Sequence, residues 1–551
     1  MEGIEKCVGV GLRAELQQVG YPPGRLSSEQ ITPITEIHAK LTGEVIERLL
    51  SCQCAMHSAR VITGGVGNLV DKILGLQPEC PPAIKILTLL VLVKQSHLII
   101  ELMENCFNDT NYEELSVNRL KVIFGNTFSN KAINKISKRK WLLNPPTLFC
   151  DGLHEHFRKD IIMPFNESEE PIGTGSYGKV YEVEIHPSYQ RFVKEDPNNP
   201  LHELNGHLDL TPDCAKYQRP KFARKQLRSP TDQITFETER DNLQLIQTLK
   251  NKHVIQIFKS YRHGDELNFL FPLAEGSLST YLGEVAPDED IVEPPYWTHW
   301  LWDQMAGVAD ALASLYSFSA AAGETGTPNS TWYGYHLDLK PSNILIQGTG
   351  NARTLVITDF GQACFRMIGT EFGSAIYSAI TPNPGGTTYA PPDQQVDSSG
   401  HIHRSFDVWS FGCILLEVAV FIIQGQRGLV EFRNDRRSQT TLHARGTTAC
   451  FYRLEGRGFE LKQAVLNRIE ILETDVDHHQ FITGILKLVR EIFQSQADRP
   501  TARDVADDLK CLLRLRDSTN GVFDPTEREQ ATRLGMQDGD CDIGDDELKD
   551  M

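Results

Sequence analysis

Apolar residues recur at helical spacing from about Ser28 to Trp141, as in Ile46, Leu49 and Leu50, then Leu69, Ile73 and Leu74, then Leu98 and Leu102. Breakers separate these runs at Gly64-Gly65, Pro81-Pro82 and Asn108-Asp109, so the pattern predicts a small all-helical domain over residues 1–148. From Glu169 the pattern changes to short β-branched runs, 180–183 and 254–258, and later to helical periods over 300–316 and 408–423. Strands followed by helices predict an α+β unit over residues 169–514, joined to the helical domain by a linker at 149–168. The stretch 84–103 is the most apolar, but Lys85, Lys94, His97 and Glu101 interrupt it, which predicts a buried helix and no membrane span. Residues 536–551, MQDGDCDIGDDELKDM, are acidic and nearly free of core-forming side chains, so 515–551 is expected to be a disordered tail.

A chain of 551 residues is long enough for more than one core. Its 55 Lys and Arg against 73 Asp and Glu give a net charge of −18, which disfavours nucleic acid as the main ligand. Residues 1–150 sum to +2 and leave −20 for the rest, an asymmetry that supports a boundary near Pro145-Pro146. The first ten residues, MEGIEKCVGV, lack a basic segment followed by an apolar one, so a soluble cytoplasmic protein is expected, with the nucleus also open to it. Twelve cysteines without a paired framework, and Cys52/Cys54 without a second pair, point to reduced thiols and no structural zinc. The pairs His154/His156, His401/His403 and His478/His479 lack carboxylates or thiols at ligand spacing and read as surface histidines. Lys131, Lys135, Lys138, Arg139 and Lys140 gather on one helix face, either a solvated face or a dock for an acidic surface or anionic headgroup.

The chemistry is carried by a series of short motifs. Residues 172–180, IGTGSYGKV, place Gly173, Gly175 and Gly178 where backbone amides can approach phosphate closely. A dinucleotide fingerprint needs a helix next, whereas 180–183 continues as a strand, so the loop reads as a flap over phosphates; taken by itself, an ordinary hairpin turn is the better explanation. Downstream lie FARKQL with Lys225, FETERDNLQLI with Glu239, HLDLKPSN from His336 to Asn343, and ITDFG from Ile357 to Gly361. In this order and spacing the chain resembles the eukaryotic protein kinases across residues 169–514, with FDVWSFG a further close match. It also resembles kinase-domain proteins of filamentous fungi that carry helical N-terminal extensions.

The resemblance implies a bilobal kinase fold, with a small β-rich lobe and a large helical one, that uses ATP and Mg²⁺ to phosphorylate protein substrates. It implies that Lys225 contacts the α/β-phosphates and pairs with Glu239; Glu237 is the rival partner, but Leu243 and Ile246 give the Glu239 helix an inward stripe. Asp338 is then the residue that orients the substrate hydroxyl, Lys340 steadies the transferred phosphoryl group, and Asn343 and Asp359 are the metal ligands. Lys340, two residues after Asp338, resembles the serine/threonine branch. Val180, Ala223 and Leu345 are expected around adenine, Phe271 before a Pro272-Leu273-Ala274 hinge, and His336 and Phe360 in a core stack. Asp407 is expected to brace the catalytic loop through backbone N–H groups, and Arg499 to pair with Asp393.

Three departures matter. Leu337 stands where many kinases carry an arginine, which removes the usual partner of a phosphorylated activation loop, although Thr370, Ser374, Ser378, Thr381, Thr387 and Thr388 offer hydroxyls there. Pro391-Pro392-Asp393 replaces alanine-proline-glutamate. An insertion over 184–220 reads as an exposed polar excursion. The alternative reading is a pseudokinase scaffold that binds nucleotide or partners without transfer. The helical domain is the expected site of recruitment or self-association.

Overall fold

In the computed structural model the helical periods of the N-terminal part become α1 (Val8–Gln18), α2 (Ile34–Lys40), α3 (Gly43–Leu50), α4 (Val66–Leu74), α5 (Ile84–Leu92), α6 (Ile99–Glu104), α7 (Val117–Phe124) and α8 (Asn130–Arg139). The residues described are 7–23, 30–52, 65–125, 129–150, 153–175, 178–191, 221–227, 233–284, 296–322, 327–367, 388–392, 405–439, 449–455, 458–477 and 479–519. All but one position of α5 is fully buried, because α1, α2, α4, α6 and α8 all pack on it. A helix apolar all round is stable only in that central place. Its N-terminus is closed by Asp109, whose Oδ1 accepts the N–H groups of Lys85 and Ile86 at 2.9 and 3.2 Å. Burial pushes the Asp109 carboxyl up to about 6.

Of the two β-branched runs, 180–183 lies within a strand, whereas 254–258 forms none beyond an isolated bridge from Val254 to Ile357 and leads into the strand that starts at Lys259. One sheet comprises β2 (His154–Phe157), β3 (Phe165–Glu167), β4 (Gly173–Gly175), β5 (Gly178–Ile185), β7 (Lys221–Leu227), β8 (Lys259–His263) and β9 (Glu266–Pro272) in the order β2-β8-β9-β7-β5-β3, with β4 on β5. The stretch 149–168, expected to be a linker, therefore supplies two strands of the sheet. Phe157 and Phe165 explain this, since both pack on buried Tyr261, at ring distances of 5.7 and 6.3 Å.

The insertion also begins inside the structure. Glu184 and Ile185 end β5, and β6 (Gln190–Arg191) pairs in parallel with β1 (Leu148–Phe149). Tyr21 Oη donates to the Glu184 carbonyl at 2.7 Å, and the Ile34 N–H donates to Tyr189 Oη at 3.0 Å. Together with Ile31, these tyrosines bind the helical part and the sheet into one compact unit, residues 1–237 and 256–273. The exposed excursion thus starts no earlier than residue 192, and 192–220 lie outside the described residues.

The second unit comprises residues 238–255 and 274–551. Helix α9 (Gln233–Ile246) enters it, followed by α10 (Leu278–Glu284), α11 (Leu301–Tyr316), α12 (Phe406–Ser438), α13 (Gln463–Asp475), α14 (Gln480–Ile492) and α15 (Ala502–Thr519). Helix α12 is the core element. Among the described residues only α12 is long and apolar enough to cross a membrane, and its apolar window is wholly buried in the protein. At Gly425, φ is +68°, a left-handed conformation that glycine adopts without steric cost and that kinks α12. Helix α15 runs five residues beyond the expected domain end, and 520–551, most of the expected tail, lie outside the described residues.

Candidate active site

In the first unit, β-sheet register gathers one set of the expected site residues. Val180 pairs with Lys225, Gly173 with Val180, and Ala223 with Phe271. Alternation along antiparallel strands therefore places Val180, Ala223, Lys225 and Phe271 on one face, together with Phe269 opposite Lys225. Phe236 of α9 stacks on Phe269 at 4.5 Å and 21°. The opposite face is structural: Arg224 donates to Glu167 Oε1 at 2.7 Å and to Asn268 Oδ1 at 2.6 Å. Gly178 is needed for a reason the motif does not state, because a Cβ there would run into the Gln226 backbone carbonyl. Gly175 pairs with Gly178 at the end of the β4-β5 hairpin, and residues 176–177 lie outside the described residues.

The second unit holds the rest. Asp338 is buried, and its Oδ2 accepts from Lys340 Nζ at 2.6 Å and from Asn343 Nδ2 at 3.0 Å. Asn343 Nδ2 also reaches the Asp338 carbonyl at 2.9 Å, while the Asn343 carbonyl accepts the Thr358 N–H at 2.9 Å. That last bond joins the HLDLKPSN loop to the residue before Asp359. His336 adds a second tie, with Nε2 2.9 Å from the Thr358 carbonyl and its ring 5.0 Å from Phe360 at 71°. Asp407 accepts the N–H groups of His336 and Leu337, both at 2.8 Å, which is the expected brace.

Glu239 is 2% exposed. A side chain at Gly361 would meet Glu239 Oε2 at 3.7 Å and Asp359 Oδ1 at 3.6 Å, so both carboxylates border the same glycine. The rival Glu237 accepts instead from Gln233 on an exposed surface. Asn242, three residues after Glu239, donates to the Phe360 and Ala363 carbonyls at 2.9 Å each, tying α9 to the DFG segment. Asp359 sits at φ +66°. Leu345 lies on β13 (Ile344–Gln347), opposite Ser277 of β10 (Gly276–Ser277), which follows Ala274 closely.

Two features have weak or no sequence signal. Strands β11 (Phe318–Ala322), β12 (Thr327–Tyr335) and β15 (Cys364–Met367) form a sheet in which Tyr335 pairs with Cys364, so the residue before His336 lies beside the chain just after the DFG segment. The other is a buried ionic cluster: Glu417 of α12 accepts from Arg436 and Arg433, both at 2.6 Å, and from Tyr389 Oη at 3.0 Å. Burial works to raise the Glu417 carboxyl, but Arg436 and Arg433 outweigh it and hold it below the usual range. Arg499 donates to the Ser405 carbonyl at 3.1 Å and lies 5.0 Å from the Trp409 ring; Asp393, its expected partner, lies outside the described residues.

The family model of the protein kinase domain matches residues 213–508, more than half of the chain. Among curated proteins, the serine/threonine-protein kinase ksp1 of Schizosaccharomyces pombe is 25% identical over 254 residues, covering 45% of this chain and 42% of that protein. The serine/threonine-protein kinase ppk13 of the same yeast is 34% identical over 96 residues, 17% of this chain and 27% of that protein. The high affinity nerve growth factor receptor of Mus musculus is 23% identical over 297 residues, 51% and 29% respectively. The chain spans less than half the length of each of these relatives.

Proposed function

Since this chain belongs to the protein kinase family, we propose that it transfers the γ-phosphoryl group of Mg-ATP to serine or threonine hydroxyls of protein substrates. The observation that carries this reading is the Asp338 carboxylate, held by Lys340 and Asn343 on a loop braced by Asp407. An acid positioned in this way suits transfer to a hydroxyl, which favours catalysis over a scaffold that only binds nucleotide. Phosphoryl transfer asks little covalent chemistry of the protein, so positioning and charge supply most of the rate.

Asn343 and Asp359 offer the hard oxygen donors that suit Mg²⁺, and their segments are joined through the Asn343–Thr358 hydrogen bond. The bound cation would neutralise charge on the phosphates. Lys225, on the sheet face shared with Val180 and Ala223, would hold the α/β-phosphates and pair with Glu239, leaving the apolar side chains for adenine. Asp338 would accept the hydroxyl proton or orient the hydroxyl. Lys340, two residues on, supports the serine/threonine assignment. We assign the helical part to recruitment of a partner or self-association, and propose that the protein acts in the cytoplasm or nucleus.

The test is transfer of labelled γ-phosphate from Mg-ATP to a basic protein substrate, followed by phosphoamino-acid analysis. Phosphoserine or phosphothreonine supports the reading; phosphotyrosine alone overturns the specificity. No label together with retained Mg-ATP binding assigns the fold to a scaffold.

A further inference from the structure

Three elements of the helical part bring cations together without counter-charges. Arg13 lies on α1, Lys94 just after α5, and Lys131, Lys135 and Arg139 at four-residue intervals along α8. Helices α1 and α8 both pack on α5, and Arg139 Nη1 donates to the Leu92 carbonyl at 3.3 Å in the last turn of α5. Lys94 leaves that turn at φ +63°. Lys131 and Lys94 are exposed, while Arg13, Lys135 and Arg139 are half-buried. A small gap beside Arg139 is lined also by Leu16, Gln17 and Leu92.

Among the described residues no carboxylate pairs with any of the five. Glu15, the nearest acid in sequence to Arg13, faces Lys40 at 3.7 Å. Arg13 Nε is buried without a hydrogen-bond partner. Partial burial holds the Lys135 ammonium below its usual range, and Arg139, Arg13, Lys94 and Lys131 add to the effect. Like charges four residues apart destabilise a helix. A fold that needed only a solvated face would spread these residues or intersperse acids, as elsewhere in a domain whose net charge is only +2 over residues 1–150.

We propose that Arg13, Lys94, Lys131, Lys135 and Arg139 form a binding site for a soluble small molecule that carries several phosphate groups. Charge density selects this class. An acidic peptide spreads one charge per residue over about 3.3 Å of strand. A phosphate monoester concentrates almost two charges in one tetrahedral group, so two or three phosphates match the charge of five cations on α1, α8 and the end of α5. Two of the cations are exposed and three half-buried, so the cluster is open to a soluble ligand. The site is separate from the kinase motifs and does not depend on the catalytic reading.

The experiment uses the full chain and inositol hexakisphosphate as probe, with wild type beside the double variant Lys131→Gln with Lys135→Gln and beside Lys225→Met. The proposal expects saturable binding that weakens steeply with added salt, at least a tenfold loss of affinity in the double variant, and no change in Lys225→Met. Without ligand, the double variant should melt at the same temperature as wild type or a degree or two above it, since repulsion has been removed. That opposite movement of stability and affinity separates a ligand site from a damaged fold. Equal affinity in the double variant, no binding at low salt, or loss of binding in Lys225→Met each overturns the proposal. So does binding only to vesicles that contain polyphosphorylated lipid.

Discussion

Asp407 holds Leu337 in a left-handed conformation: Oδ1 accepts the Leu337 N–H at 2.8 Å, and Leu337 sits at φ +64°. A leucine in this region costs on the order of 1–3 kcal/mol and persists only where its surroundings over-determine it. Here they include the Asp407 brace and an apolar cluster in which the Leu337 side chain packs with Tyr335, Ala390 and Phe406. The strain shapes the loop that carries Asp338. Asp407→Asn replaces one acceptor oxygen with a donor facing a backbone N–H. It should lower kcat by tenfold or more with a smaller effect on the KM for ATP, measured by steady-state kinetics.

Leu337 also bears on control. Its side chain is buried in that cluster, at the position where kinases switched by loop phosphate present an arginine. Replacing Thr370, Ser374, Ser378, Thr381, Thr387 and Thr388 one at a time by alanine should change phosphoryl transfer less than about threefold. A tenfold fall for any one of them would show loop control by another route.

The Glu417 cluster predicts a marked non-additivity. Arg436 is 1% exposed, and its guanidinium lies 4.5 Å from the Phe432 ring and 3.8 Å from that of Phe451. Arg436→Met leaves Glu417 with only Arg433 and Tyr389 and should cost about 3–5 kcal/mol in a denaturant titration. Glu417→Gln alone strands the buried Arg436, so the two changes together should cost less than the sum of each made alone, although Arg433 then also loses its carboxylate partner.

Two buried groups give opposite pH dependences. His253 has its Nδ1 2.8 Å from the Leu355 carbonyl, and burial lowers its pKa from 6.5 to about 4. Its contribution is present above pH 6.5 and is lost as pH falls toward 4. Asp109 has a raised value near 6, so its contribution is present below about pH 4 and is lost as pH rises through 6. His253→Gln should flatten the acid limb of stability against pH, and Asp109→Asn should flatten the opposing slope between pH 4 and 6. A Cβ at Gly307 would collide with the His253 ring, so Gly307→Ala should cost about 1–3 kcal/mol.

Much of this site is legible in the chain because its parts are short contiguous motifs. Asp338, Lys340 and Asn343 fall within six residues, and a loop of that length brings them together by local geometry alone. The choice of Glu239 over Glu237 follows from helical period, since Leu243 and Ile246, both buried, face inward with Glu239. What stayed hidden depends on distant pairing. Strands β2 and β3 have polar sequences, HEHF and FNE, that become strands only because β8 and β5 offer edges. The Glu417–Arg436 pair spans nineteen residues across the kink at Gly425, and no period marks it. The five cations around Lys135 come from three elements, of which α8 alone showed a charge pattern.

If Asp338 acts on the substrate hydroxyl and Lys225 holds the phosphates, loss of either side chain abolishes transfer. The direct measurement is labelled γ-phosphate transfer by wild type, Asp338→Asn and Lys225→Met under Mg-ATP, with folding of each checked by thermal melting. Wild type should transfer label, and both variants should lose at least a hundredfold at unchanged melting temperature. Transfer by either variant at the wild-type rate, or a wild type as inactive as both, would contradict these roles.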